Sequence, residues 1–449
     1  MFKKLVSLLF ISLFLAGCPA IQSPGPQKQT ATHDPFEFEI SELVTVISLE
    51  NEEYEAPETV TVIRERAAFI NRPDMQFPVQ DITQVAIFLP LTGNGAKIGQ
   101  SMKKALQLSL STADTNKIKY QFFDTKSSPE GTMEALRDSQ RYKIDLIIGP
   151  VYAQNVRAIK DLTNVPILSF TTDSGALSNK VFSLGLLQEE EVRNLEYFMK
   201  SDNASDMIAF LPNTQMGRIY GRELNNYNIQ PKNTIYYTPG NIESVEAQIR
   251  KITKYDDRKK QLEILKKEIR NNPNLSAYKK DRELKKLENK DTAGDVDFDS
   301  VFITGDINDS KLIVSYFQYF EADPKKVKYY GTSTWNTPKI LNDPNFINVN
   351  FVNLNSTKKA SFEKTYNEKF GERPEALSSF AYDAGKIVQF LSQGGYFDLS
   401  ILTSSSGFNG INGTFRILPT GKSQYQMELQ TITGRDAVKI SKPAKEDFR

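Results

Sequence analysis

The sequence predicts an α/β protein made of two doubly wound parallel-sheet lobes with several chain crossings between them, plus a helical-hairpin insertion. Three observations predict it. Short apolar runs recur from Thr83 onward, each is followed by a stretch with apolar residues at helical spacing, and the rhythm restarts after about Leu187. Strands alternating with helices of about 10–15 residues imply βαβ units and a parallel sheet.

The elements follow in order. Val85-Ala86-Ile87-Phe88-Leu89 is a continuous apolar run, suited to a strand buried on both faces. Gly93-Asn94-Gly95 makes a turn, and Ile98, Met102, Ala105, Leu106 and Leu108 place a helix over about 96–110. The unit repeats as a strand at Lys119–Phe123 and a helix from about Pro129 to Tyr142. Leu146–Pro150 leads to a helix from about Ala153 to Leu162, and Pro166–Phe170 returns as a strand. Val181–Leu187 fits a crossover. Buried strands then follow at Met207–Leu211, Thr234–Tyr237, Ser300–Ile303 and Val327–Tyr330. Phe362 to about Phe397 is mostly helical, and Gly413–Ile417 and Met427–Thr431 are β-like. The simplest partition gives lobe 1 residues 83–187 and 356–400, lobe 2 residues 188–355 and 401–433, and a C-terminal tail from 434 to 449.

One stretch breaks the rhythm. Val245, Ile249, Ile252, Leu262, Leu265 and Ile269 keep helical spacing, Asn271-Asn272-Pro273 interrupts it, and Tyr278, Leu284 and Leu287 resume it. Pro273 cannot continue a helix, so 245–290 is expected to form a helical hairpin. Lys and Arg outnumber Asp and Glu there by about two to one, which suits either a solvated pair laced by i,i+4 ion pairs or an arm for an acidic partner or membrane surface.

The N-terminus reads as a targeting segment. Met1-Phe2-Lys3-Lys4 is positive, and the uncharged run Leu5–Leu15 is shorter than the roughly 20 apolar residues a membrane-spanning helix needs. Leu15-Ala16-Gly17-Cys18 resembles a bacterial lipobox, which implies a signal peptide over 1–18 and lipidation of Cys18; an ordinary signal peptide is the alternative. Pro19 rather than Asp after the cysteine favours the periplasmic face of the outer membrane, by analogy with enteric sorting. Residues 19–35, rich in Pro, Gln, Thr and Ser, read as a flexible tether, and 36–82 as a small, irregular N-terminal segment. Cys18 is the only cysteine, so no internal disulfide and no cysteine-based metal site is expected. The only histidine, His33, lies in the tether, which removes mechanisms needing a histidine base on the folded body. A net charge of +1 implies no pull towards nucleic acid. Gly93-Asn94-Gly95-Ala96-Lys97-Ile98 lacks the spacing of a phosphate-binding loop. No catalytic residue, metal or cofactor is expected.

Val85–Gly93 with Ile98-Gly99, Ile147-Ile148-Gly149-Pro150, Val165–Ser169, Ala381-Tyr382-Asp383-Ala384 and Ile411–Phe415 fall in the order seen in type I periplasmic binding proteins, which this chain resembles over about Thr83 to Thr433. Within that group, Gly149-Pro150-Val151-Tyr152-Ala153, Ser169–Asp173, Thr334-Trp335-Asn336 and Phe298–Ile303 look like the penicillin-binding-protein activator lipoproteins. That resemblance implies a non-catalytic envelope protein that docks on a peptidoglycan synthase. The enterobacterial members carry an extra helical-repeat domain, and the stretch before Thr83 is too short for one. The broader resemblance implies the alternative, a receptor that hands amino acids or another small polar solute to an ABC permease.

The resemblance also implies where a ligand would sit: between the lobes, at the carboxyl ends of the strands. Thr92, Asn94, Ala153, Thr171, Thr172, Asp173, Ser333, Thr334 and Trp335 are the candidate cleft residues. Three of them depart from the amino-acid-binding pattern. Ala153 offers no hydroxyl, an ionised Asp173 repels a carboxylate, and Ser333 offers no charge to an ammonium group. Each lost charge-assisted bond costs about 1.5–3 kcal/mol, against about 8 kcal/mol for micromolar binding in all. The remaining hydroxyls and Trp335 suit a sugar or peptide fragment, or else the polar groups cap helices around a closed or water-filled cleft; Trp335 by itself better suits packing at the lobe interface than stacking on a ligand.

Overall fold

The computed structural model describes residues 39–40, 82–111, 113, 117–354, 357–392, 399–445 and 448. The chain divides into units 1–37 and 38–449, and the description concerns the second. The lipobox with Cys18, the tether with His33 and almost all of 36–82 lie outside the described residues.

Strands are numbered in chain order. β1 is Glu39–Ile40, β2 Thr83–Leu89, β3 Ile118–Asp124, β4 Leu146–Ile148, β5 Ile167–Ser169 and β6 Val181–Ser183. β2 to β6 form one parallel sheet in the order β3-β2-β4-β5-β6. Val85 to Leu89 are at most 1% exposed, as a continuous apolar run requires when helices cover both sheet faces. The Ala96–Leu110 helix packs against Ser378–Leu391, which returns from the far end of the chain. Ser101 Oγ fixes that return through Ser378 Oγ (2.8 Å) and Tyr366 Oη (2.9 Å).

The second lobe repeats the plan. β7 Met207–Pro212, β8 Asn233–Tyr237, β9 Ser300–Ile303, β10 Lys328–Gly331 and β11 Asn350–Leu354 run parallel in the order β8-β7-β9-β10-β11. β12 Phe408–Gly410, β13 Gly413–Ile417, β14 Ser423–Tyr425, β15 Met427–Gly434 and β16 Ala437–Lys442 close the chain. β15 and β16 add to β11 as antiparallel strands. The core here joins Phe210, Tyr237, Phe317, Tyr329 and Trp335.

Three expectations need correction. The C-terminal tail from 434 is not a tail: after a turn at Arg435-Asp436 the alternating Ala437–Lys442 pairs with β15 as an edge strand. The 401–433 stretch does not all enter lobe 2. β12, β13 and β14 form a separate antiparallel sheet with β1, held at the crossing because Asp383 accepts from Ile411 N (2.8 Å) and Asn412 Nδ2 (3.2 Å), while Ser423 Oγ donates to Gly185 O (2.7 Å). The hairpin starts later than Val245. Ile242–Ile252 is an ordinary crossover helix whose Val245 and Ile249 belong to the lobe 2 core.

Lys254 at φ 51° ends that helix, and the arm proper is Tyr255–Asn271 and Ala277–Lys285. Its root is tied down by Arg258, whose Nη2 donates to Thr292 Oγ1 (2.7 Å) and Gly294 O (3.1 Å) and whose Nη1 donates to Phe320 O (3.3 Å).

Candidate functional site

Both parallel sheets share one topology, and in each the strand order reverses once, between β2 and β4 in lobe 1 and between β7 and β9 in lobe 2. Ligands of open α/β sheets bind outside the carboxyl ends of the strands at such a reversal. The loops there begin at Pro90 and Gly149 in lobe 1 and at Asn213 and Thr304 in lobe 2.

In lobe 1 three of the six candidate side chains are bonded within the protein. Thr92 Oγ1 donates to Asp124 Oδ2 (2.6 Å), and the N–H groups of Leu91 and Thr92 donate to Asp124 Oδ1. Burial opposes ionisation of Asp124, but these donors outweigh it and hold its carboxyl below the ordinary range. Thr171 Oγ1 accepts from Asp173 N (3.1 Å), and Thr171 O accepts from Ser183 Oγ (2.5 Å). Asp173 accepts from Gly175 N (2.9 Å) and from Arg157 Nη2 (2.6 Å). Burial again opposes ionisation, and Arg157 with the Gly175 N–H outweighs it, so Asp173 is held ionised below the usual range. Its charge is therefore matched by Arg157 rather than left to repel a ligand. Ala153 opens the Ala153–Ile159 helix and packs on the lobe 1 core. Asn94 and Thr172 are exposed at the rim.

The residue the sequence reading passed over is Tyr152. The loop 149–152 brings its hydroxyl against Gly95, where a Cβ would sit 2.3 Å from Tyr152 Oη. Gly95 is the N-cap of Ala96–Leu110, the helix end that would otherwise present free N–H groups to an anion. The phenol thus stands over the lobe 1 reversal. In lobe 2 a phenol at the end of β8 approaches the loop after β9: Tyr237 Oη donates to Thr304 O (3.0 Å) and lies 1.9 Å from where a Cβ of Gly305 would be. The clue in sequence was the aromatic three residues after Gly149, and the Tyr237–Gly305 contact had none.

On the lobe 2 side, Ser333 donates through N (2.8 Å) and Oγ (2.6 Å) to Glu191 Oε1, and Tyr220 Oη donates to Glu191 Oε2. Thr332 and Thr334 pair through their hydroxyls (2.7 Å). Trp335 is a correction: its ring is fully buried, edge-on to Phe346 at 5.0 Å, and belongs to the lobe 2 core rather than to the cleft. The turn after Gly331, which has no side chain, lets the indole fold back over the strand.

Glu191 has two buried neighbours on the same first turn. Glu189 pairs with Lys422 (2.7 Å), and Glu190 with Arg193 (2.9 Å) and Tyr425 N (3.0 Å). A helix N-terminus stabilises such carboxylates. Burial nonetheless pushes the Glu190 and Glu191 carboxyls above their ordinary values. Tyr425 Oη also donates to Leu184 O (2.7 Å), and Asn194 accepts from Met427 N (3.2 Å). Two crossings between the lobes are therefore bolted to each other and to the Gln188–Asp202 helix. Among the described residues no group of His, Cys, Asp and Glu is placed to hold a metal.

The model of the family described as "LppC putative lipoprotein" matches residues 73–348. The chain belongs to that family. Among curated proteins it is 26% identical over 163 residues to the penicillin-binding protein activator LpoA of Pasteurella multocida (strain Pm70), covering 34% of this chain and 27% of that one. It is 27% identical over 154 residues to LpoA of Histophilus somni (strain 129Pt), covering 32% and 24%. The chain thus matches about a quarter of the length of these relatives. Among solved structures, a branched-chain amino acid ABC transporter protein of Rhodospirillum rubrum aligns with TM-score 0.61 at 14% identity, covering 80% of this chain and 99% of that one. The LpoA (YraM) C-domain of Haemophilus influenzae, described as a regulator of PBP1A, aligns with TM-score 0.56 at 13% identity, covering 79% and 99%. At such identities these likenesses establish the type I binding-protein fold. This LppC-family chain has that fold, with a mixed rather than wholly parallel second sheet.

Proposed function

We propose that this protein is a lipoprotein, anchored through Cys18 on the periplasmic face of the outer membrane, that regulates peptidoglycan synthesis by docking on a penicillin-binding protein and catalyses nothing itself. Membership of the LppC family and the local similarity to LpoA support the partner class. One structural observation carries the argument against solute transport. Three candidate polar groups at the strand ends are committed inside the protein, Asp173 to Arg157, Ser333 to Glu191 and Thr92 to Asp124, and Tyr152 stands over the Gly95 helix end.

Two measurements test the proposal. The full chain is expected to raise the rate of glycan polymerisation or crosslinking by the bifunctional penicillin-binding protein of its own organism. Calorimetry against leucine, isoleucine and valine is expected to show no binding at micromolar concentrations. Tight uptake of an amino acid, with no effect on the synthase, would replace the proposal with an ABC transport receptor.

A further inference from the structure

The arm at Tyr255–Asn271 and Ala277–Lys285 is not needed to complete lobe 2. The crossover helix before it and β9 after it already supply the βαβ unit. Its chemistry differs from the rest of the protein. From Lys254 to Lys290 there are thirteen Lys and Arg against seven Asp and Glu, a local charge of +6. The whole chain carries +1, so the remainder carries −5.

Four of the seven acids in this stretch form ion pairs, Asp256 with Arg250 among them. Glu263 holds Lys266, Asp281 holds Lys285, and Glu283 holds Lys286. Lys260, Lys267, Arg270, Lys279 and Arg282 are exposed or nearly so and make no ion pair with a described residue. Lys260, Ile264 and Lys267 lie at i, i+4 and i+7 on one helix face, and Tyr278 and Arg282 at i and i+4 on the other helix. Ile264 is 48% exposed and Tyr278 76% exposed.

We propose that these two stripes form a docking surface for an acidic patch on a folded protein. This rests on the regulatory reading above and deepens it, the partner being the penicillin-binding protein itself. Charge complementarity is the ground: a surplus of cations, unpaired among the described residues, beside an exposed tyrosine. Tyrosine and arginine are enriched where proteins meet, and complementary charge speeds and orients the encounter. An anionic bilayer fits less well. Most apolar side chains of the arm face inward, with Leu262 at 2% exposed and Leu265, Ile269, Leu284 and Leu287 half-buried, so only Ile264 and Tyr278 face outward, far less than the continuous apolar face a membrane-surface helix buries. The interspersed carboxylates would be repelled by a uniform phosphate layer, whereas they suit a partner with a pattern of both signs.

The test uses the full chain and the purified bifunctional penicillin-binding protein of the same organism, with dissociation constants measured over a range of salt. Lys260→Glu, Lys267→Glu and Arg282→Glu combined are expected to weaken binding about tenfold or more and to flatten its salt dependence. Tyr278→Ala is expected to weaken it with the salt dependence kept. A control carrying Lys119→Glu and Lys143→Glu on lobe 1 is expected to bind as the unmodified chain does. If the unmodified chain binds and the triple variant binds equally well, the arm is a solvated hairpin and this inference falls while the regulatory reading stands. If the unmodified chain does not bind, both fall. Pelleting with phosphatidylglycerol vesicles supplies the remaining arm: adsorption lost in the triple variant, with synthase binding intact, would assign the surface to lipid and overturn the inference.

Discussion

At the residue scale, the acids at the lobe crossings dominate. Asp383 is fully buried among the donors of Ile411 and Asn412, and burial outweighs those bonds and pushes its carboxyl up to about 7. An unfolded aspartate titrates near about 3.9. Between these values the native state holds a proton that the unfolded chain has released. The stability this group gives is complete at low pH and is lost as pH rises towards 7. Asp383→Asn keeps the shape without the titration, so the stability of the wild type relative to that variant should fall by about 2 kcal/mol between pH 5 and pH 8. Urea melts at both pH values measure it, and a difference independent of pH would show that Asp383 is not held protonated. Glu191 offers a second case. Glu191→Ala strands the N–H and hydroxyl of Ser333 and the phenol of Tyr220 in a buried site, at about 1–3 kcal/mol per unpaired group. A loss of roughly 3 kcal/mol is expected by the same measurement.

At the scale of elements, the protein combines well-rooted strands with an arm that buries little. β2 and β7 are almost wholly buried, and Ala277–Lys285 has no buried residue. Local opening costs least where few apolar contacts are lost. Hydrogen exchange followed by mass spectrometry should find the amides of 277–285 exchanging orders of magnitude faster than those of β2, with Tyr255–Leu262 intermediate because Arg258 and Leu262 tie that end to lobe 2. Equal protection across the arm would mean that its far helix is packed more firmly than its burial allows.

For the whole molecule, the sole tryptophan is a reporter. Trp335 lies in the lobe 2 core, 0% exposed, so its emission should be blue-shifted, resist acrylamide and stay unchanged on adding millimolar leucine. Trp335→Ala should cost about 3–5 kcal/mol. At the crossings Arg193, Asn194 and Glu190 all bond the Tyr425 backbone, which is expected to resist hinge motion between the lobes. X-ray scattering is expected to show no compaction with amino acids. A fall in radius of gyration on adding leucine would mark a closing receptor.

The sequence by itself determined the repeating units, because apolar runs and helical spacing are local records of which faces are buried. β2, β4, β7 and β9 all fall on runs read directly from the chain, and Pro273 marked the break in the arm because its ring forbids a continuing helix. What only the tertiary structure decided was pairing between distant segments. Arg157 neutralises Asp173, Glu191 claims Ser333, Tyr152 covers Gly95, and the last strand joins the lobe 2 sheet beside β15. The single tryptophan, which follows a strand, suited packing at the lobe interface or a place in the cleft, and the fold turned it into the lobe 2 core. Periodicity reports burial along one segment. Which polar group meets which across the crossings depends on how two lobes are wound together, and no local pattern encodes that.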